Sequence, residues 1–133
     1  MSIRIAGAAY DVAMTGSQRL SVVPSQFVIE HLPHSTFPED DEWIALVRAP
    51  EGLTVIREAP PWAEGEIWKG IYGDGSHTLD TPGMLAALVT PLADAAVPVF
   101  VASTYHADLV LVPSHRLPDA TAALRDAGHR IAE

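Results

Sequence analysis

The spacing of apolar positions along this chain changes at about residue 60. Before that point, short runs rich in β-branched and aromatic residues alternate with turn residues, a pattern that predicts strands. The predicted strands cover residues 20–23, 27–32, 43–47 and 53–57. Pro50-Glu51-Gly52 predicts a hairpin turn between the last two strands. Pro60-Pro61 then interrupts the pattern because neither residue donates a backbone hydrogen bond.

The residues after this break predict the element order β-α-β-β-α-β. Residues 66–72 alternate as a strand does, and Thr81 with Pro82 predicts the cap and first position of a helix. The apolar stripe of that helix is Met84, Leu85, Leu88, Val89 and Leu92. Strands at 97–104 and 109–112 follow. The last helix has the stripe Leu117, Ala120, Leu124 and Ala127, ends at Gly128, and precedes a short strand at 129–132.

This order predicts a four-stranded antiparallel sheet with two helices on one face, joined by right-handed crossovers. The strands before residue 60 are expected to extend or cover that sheet. No long helix is expected between residues 19 and 59.

Charge and composition exclude several classes of function. The chain has 133 residues, and 48% of them are hydrophobic, which indicates a folded domain. Eight Lys and Arg oppose 17 Asp and Glu, giving a formal net charge of −9, with no basic cluster to bind phosphate backbones. Nucleic acid is therefore not an expected partner.

The absence of cysteine removes disulfides, thiolate zinc sites and a thiol nucleophile. This composition is compatible with the cytosol, and we expect a cytoplasmic protein. Asp11 interrupts the apolar character of residues 1–16, so we interpret this segment as a frayed start or an extra strand and not as a signal peptide. The apolar stretch 84–104 contains Asp94 and two prolines, so no membrane span is predicted.

Two segments between Trp68 and His129 stand out: Thr81-Pro82-Gly83-Met84 at the first helix, and Ser103-Thr-Tyr-His-Ala-Asp108 between the two following strands. Through these segments, the stretch from Trp68 to His129 resembles an ACT domain. The chain is similar to small bacterial proteins with two tandem ACT-like units, which are related to CASTOR-type arginine sensors and to the regulatory ACT domains of aspartate kinases. The resemblance implies an α+β, ferredoxin-like tandem, with a degenerate ACT-like unit at 17–60 and a complete ACT domain at 64–133.

The resemblance also implies a ligand site. In the sensor relatives, a free amino acid lies between two ACT units, against the start of the first helix and the turn after the second strand. The matching residues here are Gly83, Met84, Leu85, Thr104, Tyr105 and Asp108. A helix start offers unpaired N–H groups to a carboxylate, and Asp108 accepts from an ammonium or guanidinium group. Thr81 stands where the sensor pattern has Glu, so specificity for arginine is not expected.

Structural explanations stay open for the same residues. Gly83 equally permits close packing of the helix on a strand, and Asp108 equally serves a turn by bonding nearby backbone. A ligand site requires Asp108 in a cleft that faces a helix start, whereas a pure interface module leaves it in solvent.

The remaining polar and aromatic candidates have structural interpretations. Pro33 separates His31 from His34, which argues against a zinc pair, and the other four histidines are expected on the surface. Ser103, His106 and Asp108 are too close along a hairpin to form a catalytic triad. The acidic run 39–42 predicts a solvated loop or a first helical turn. The three tryptophans, Trp43, Trp62 and Trp68, are interpreted as core or interface anchors.

We therefore expect a non-catalytic sensor that binds a small molecule, an amino acid, and signals by changing its association with a protein partner. A homodimer is expected, with no cofactor, no metal, no nucleic acid and no membrane. Two alternatives stay open: a dimerisation module without ligand, and a separate regulatory subunit of an amino-acid biosynthetic enzyme.

Overall fold

A computed structural model describes residues 17–33, 37–74 and 82–132. The predictions for residues 1–16, His34, His77 and the Thr81 cap lie outside the described residues. The elements are β1 Arg19–Leu32, β2 Trp43–Ala49, β3 Gly52–Glu58, β4 Trp68–Gly73, α1 Ala86–Asp94, β5 Phe100–Ser103, β6 Asp108–Pro113, a 3-10 helix Ser114–Arg116, α2 Leu117–Asp126 and β7 Arg130–Ala132. The α+β class and the order of elements are confirmed. The described part of residues 19–59 contains strands and no helix.

The first strand is longer than its sequence predicts. β1 runs for 14 residues, although Pro24 predicted a break between two shorter strands. Its register against β4 shifts between Val22 and Gln26, so Pro24 lies within an irregular stretch of pairing. A proline is tolerated there because no ladder hydrogen bond is needed from its nitrogen. The predicted break is therefore wrong, and β1 is continuous.

The strands form one sheet in the order β2-β3-β1-β4-β6-β5, and β7 pairs with β1 in parallel. Phe27 pairs with both Glu58 of β3 and Trp68 of β4, so these two strands lie on opposite sides of β1. Leu20 likewise pairs with both β4 and β7. β3 and β7 thus lie end to end along one side of β1, while β4 takes the other side.

This arrangement corrects the predicted four-stranded sheet of the second half. In that sheet β7 would pair with β4. The N-terminal end of β1 occupies that position instead, and β7 joins its outer side. The first four strands have the ferredoxin-like order β2-β3-β1-β4, and the described parts of their connections contain no helix.

Both helices pack against one face of the sheet. The core of this face is formed by Leu20, Ile71, Leu88, Leu92, Val97, Val110, Val112, Ala120 and Leu124. α1 begins at Ala86, later than predicted, because Gly83 has a φ of 83°, which is outside the helical region. Leu88 and Leu92 are its buried positions, which confirms the predicted stripe, and Pro91 lies within the helix.

The opposite face carries a second apolar cluster around Phe27, Ile56, Leu109 and Leu111. Gly70 of β4 lies at its centre. A Cβ atom at Gly70 would lie 3.0 Å from a Leu109 methyl, 3.2 Å from the Phe27 ring and 3.3 Å from a Val23 methyl. Side chains from both neighbouring strands therefore pack over β4 at this glycine.

Two glycines of the sheet allow a matched test. Gly52 has a φ of 143°, and a Cβ there would lie 2.3 Å from the Leu32 carbonyl oxygen, whereas the neighbours of Gly70 are side chains that can move. We expect Gly52→Ala to lower the free energy of unfolding by about 1–3 kcal/mol, through backbone strain. Gly70→Ala should cost less. Urea unfolding compares the two variants, and a larger loss for Gly70→Ala would contradict the described packing.

Candidate functional site

The predicted ligand residues lie around one end of the sheet. β4 and β5 both run antiparallel to β6, so their C-terminal ends lie at the same end. Leu20 of β1 pairs with Gly73, the last residue of β4, which brings the start of β1 to this end as well. The turn between β5 and β6 follows directly from the end of β5. The start of α1 lies at this end too, because Gln18, directly before β1, contacts Met84.

The start of α1 is held by a hydrogen-bond network that the sequence did not indicate. Gln18 Nε2 donates to the Met84 carbonyl oxygen at 2.8 Å. His129 Nδ1 accepts from the Gln18 N–H at 3.0 Å, so its Nε2 carries the proton and donates to the Ala87 carbonyl oxygen at 2.8 Å. His129 is only 5% exposed. The expectation that it lies on the surface is wrong: it connects β1, α1 and the corner before β7.

Gly83 and its neighbours leave the helix start accessible. Gly83 is exposed, and no heavy atom lies within 4 Å of the position that a Cβ would take. Its positive φ, and not close packing, therefore explains the glycine. Among the described residues, no backbone acceptor takes the N–H groups of Gly83, Met84 or Leu85, and the first bond into α1 is Ala87 N–H to Gly83 O at 3.0 Å. Leu85 packs against the core.

Asp108 is buried at the start of β6. Its side chain is 6% exposed, and one carboxylate oxygen accepts from the Ser103 hydroxyl at 2.7 Å. Ser103 and Asp108 are cross-strand partners, and Asp108 alternates in phase with Val110 and Val112 of the helix-face core. The carboxylate therefore lies on the face that carries α1 and is not in solvent. The Ser103 hydroxyl bonds to Asp108 directly and makes no described contact with a histidine.

The side chains of Thr104 and Tyr105 are oriented differently from the side chain of Asp108. The Thr104 N–H donates to the Ala107 carbonyl oxygen at 2.8 Å, and its hydroxyl accepts from the Ala107 N–H at 3.0 Å, which closes the turn. The same hydroxyl is 3.0 Å from the Tyr72 hydroxyl, and Tyr72 packs on the helix-free face. Tyr105 is 72% exposed. Within the described residues, no hydrogen bond joins this turn to the Gly83–Leu85 segment.

The acidic run 39–42 has a structural role that the sequence did not predict. Asp40 accepts from Arg57 Nη1 at 2.7 Å, and Glu30 accepts from Arg57 Nε at 3.0 Å. Arg57, and then the Glu42 N–H, lower the pKa of Asp40 below its ordinary value. The loop is exposed and contains no helix, as one of the two sequence interpretations predicted. In the described residues, no group of three or more His, Cys, Asp or Glu side chains could hold a metal ion.

Comparison with known families places this site in context. Residues 64–126 match the family model of the ACT domain. The chain contains an ACT domain. This confirms the resemblance carried by the Thr81–Met84 and Ser103–Asp108 segments. Among curated proteins, none matches the chain in sequence.

Solved structures share the fold at low sequence identity. Protein Atu0741 from Agobacterium tumefaciens is 21% identical with a TM-score of 0.73, over 87% of this chain and 92% of that chain. VC0802 from Vibrio cholerae, a protein of unknown function described as a possible transport protein, is 23% identical with a TM-score of 0.71, over 92% and 95%. A chain of aspartokinase alpha and beta subunits is 12% identical with a TM-score of 0.60, over 84% and 97%.

None of the helices in the described ranges is long and apolar enough to cross a bilayer.

The network at His129 can be tested by removing its two polar contacts. His129→Phe would leave the Gln18 N–H and the Ala87 carbonyl oxygen without partners. Each unsatisfied buried group costs about 1–3 kcal/mol, so we expect a clear loss of thermal stability. His115→Phe, at an exposed position of the 3-10 helix, is the matched control. Equal melting temperatures for the two variants would contradict the role assigned to His129.

Proposed function

We propose that this protein is a non-catalytic regulatory protein of the ACT type that binds a free amino acid. The observation that carries the proposal is the buried carboxylate of Asp108, which lies on the α1 face of an ACT domain, at the sheet end where α1 starts. ACT domains typically bind small regulatory ligands. An amino acid supplies both groups that such a place can recognise, a carboxylate and an ammonium group.

In the proposed complex, the helix start binds the carboxylate of the amino acid and Asp108 binds its ammonium group. The ligand α-carboxylate accepts from the N–H groups of Gly83, Met84 and Leu85, where the positive end of the helix dipole adds about 0.3–1 kcal/mol. The ammonium group donates to Asp108, a charge-assisted bond that contributes about 1.5–3 kcal/mol. In this proposal Thr104 and Tyr105 form the outer rim, because their turn connects to Asp108.

The organisation that we propose is a tandem of two ACT-like units, at 17–60 and 64–133. It is supported by the order β2-β3-β1 of the three strands in the first half, which becomes the ferredoxin-like order when β4 of the second unit is added beside β1, and by the complete set of elements in the second half. In the first unit, helices are replaced in the described connections by loops such as the one that carries Asp40.

We further propose a homodimer formed along β2. Among the described strands, the sheet order ends at β2, and this strand exposes Trp43, Ile44 and Val47. An unpaired strand edge with exposed apolar residues is a template for a second strand, and a second copy supplies one symmetrically.

The site proposal is tested by removing the charge of Asp108 while keeping its shape. Asp108→Asn retains an oxygen for the Ser103 hydroxyl but loses the charge-assisted bond to the ligand. After a thermal-shift screen of the twenty amino acids, calorimetry with the selected one should show binding weakened by about ten- to a hundred-fold, since ~1.4 kcal/mol is tenfold.

Asp94→Asn, at the exposed end of α1, is the control and should bind as the wild type does. Unchanged affinity in Asp108→Asn would remove the site assignment. A wild type that binds no amino acid would favour the dimerisation module. Binding that appears only with an amino-acid biosynthetic enzyme present would favour a separate regulatory subunit, for which the likeness to aspartokinase subunits provides the fold-level argument.

The dimer is tested by charging the edge of β2. The chain mass is 14.2 kDa, so the wild type should sediment at twice that mass. Val47→Lys places a charge on the exposed edge and should yield the 14.2 kDa species, whereas Ala122→Lys on the exposed side of α2 should not. A wild type that sediments at 14.2 kDa at low micromolar concentration would refute the proposed dimer.

A further inference from the structure

The segment between β3 and β4 is fixed in place by the backbone. Its first residue, Ala59, donates its N–H to the Gln26 carbonyl oxygen of β1 at 2.7 Å. The Ala63 N–H donates to the Pro60 carbonyl oxygen at 3.0 Å, which makes a turn with Trp62 inside it. At the other end, the Ile67 carbonyl oxygen accepts from the Ser114 N–H at 2.8 Å. The position of Trp62 is therefore set by the fold.

Trp62 is exposed although it lies beside two cavities. Its side chain is 79% exposed, the largest exposure among the large apolar residues of the described chain. Trp62 lines both a cavity of about 370 Å³ and one of about 640 Å³. We call the smaller one the Trp62 cavity; its lining includes Trp62, Trp68, Pro60, Glu30, Glu64 and Glu66. Its volume lies within the usual range of small-molecule sites, about 300–1,000 Å³.

The charges around the Trp62 cavity are of one sign. Among the described residues, no Lys or Arg lines it. Arg57 lines the larger cavity and already binds both Glu30 and Asp40. Within the described residues, the carboxylates of Glu64 and Glu66 make no hydrogen bond or ion pair, and both residues are exposed. The cavity thus offers two indole rings and two carboxylates without a protein cation.

We propose that the Trp62 cavity binds an organic ammonium cation. The exposed ring of Trp62 attracts a positive charge through its quadrupole, and aromatic rings recognise alkylated ammonium groups in this way. Trp68, which also packs against the cluster around Phe27, adds a second indole to the lining. Glu64 and Glu66 add attraction at the rim. An anion is repelled by the same carboxylates, and a bare metal ion gains nothing from the indoles. The site is distinct from the amino-acid site of the proposed function, because the two share no residue.

Two kinds of small cation share this chemistry. A quaternary ammonium ion such as choline offers methyl groups to the indoles and no N–H donors. A diamine such as putrescine offers N–H donors to Glu64 and Glu66. The two probes are therefore titrated separately, as chloride salts at low ionic strength, and followed by calorimetry and by tryptophan fluorescence. Saturable binding of either probe supports the proposal. The probe that binds more tightly shows whether the site prefers a quaternary ammonium ion or a diamine.

Variants locate the binding at the cavity. Trp62→Leu should weaken binding by about 2- to 30-fold, and Glu64→Gln or Glu66→Gln by about 1.4- to 5-fold each. Phe37→Leu and Glu51→Gln remove an exposed aromatic ring and a carboxylate elsewhere, before β2 and at the β2–β3 turn, and should leave the affinity unchanged. Circular dichroism verifies that each variant is folded.

Two results would overturn the proposal. One is the absence of saturable binding of both probes by the wild-type protein. The other is a loss of affinity that is the same for Glu51→Gln as for Glu64→Gln, or an affinity unchanged in Trp62→Leu, because the net charge of −9 alone would then account for the binding. Neither result depends on whether an amino acid binds near Asp108.

Discussion

The pairing of β1 on both of its sides is the constraint on which this structure depends. Along one side β1 contacts β4, and along the other it contacts β3 and then β7. From Val22 to Gln26 the strand advances four residues, while its partner advances two, from Ile71 to Lys69, so β1 carries two extra residues there. Because side chains alternate with period two, an insertion of two keeps the alternation in phase. Leu20 and Phe27 consequently reach opposite cores.

This shared strand couples the first half of the chain to the candidate site in the second. Gln18, directly before β1, binds Met84 and His129, and His129 binds Ala87. The start of α1 is thus positioned by residues from three places in the sequence, and only one of them lies near the helix. A shift of β1 against β4 would move Gln18 and with it the N–H groups that begin α1. The geometry of the site is therefore a property of the complete sheet.

The same dependence explains which features the sequence predicts. The strands predicted at 43–47 and 53–57, the turn at Pro50-Glu51-Gly52 and the buried positions of α1 follow from local spacing. The structure contains them, with β2 and β3 slightly longer than predicted. The position of β7 beside β1, the continuity of β1 through Pro24 and the burial of His129 depend on contacts between distant residues, so local patterns gave the wrong answer. Gly83 was predicted only in part. The sequence marked it as a residue of the helix start, but its positive φ, which the structure shows, explains why α1 starts at Ala86.

The separation along β1 also bears on how the two proposed sites relate. Gln18 lies at one end of the strand, and the Trp62 cavity is lined by Val28, Ile29 and Glu30 near the other. The nearest parts of the two sites are linked by β4 and β6, because Trp68 of the cavity pairs with Pro113 and Asp108 lies at the other end of β6. At about 3.3 Å per residue this length of strand places them about 17 Å apart, roughly twice the Debye length of ~8 Å at physiological ionic strength. Direct electrostatic coupling between the ligands is therefore negligible. Any coupling must pass through a displacement of β1, which the pairing on both sides opposes, so the two sites are expected to bind independently.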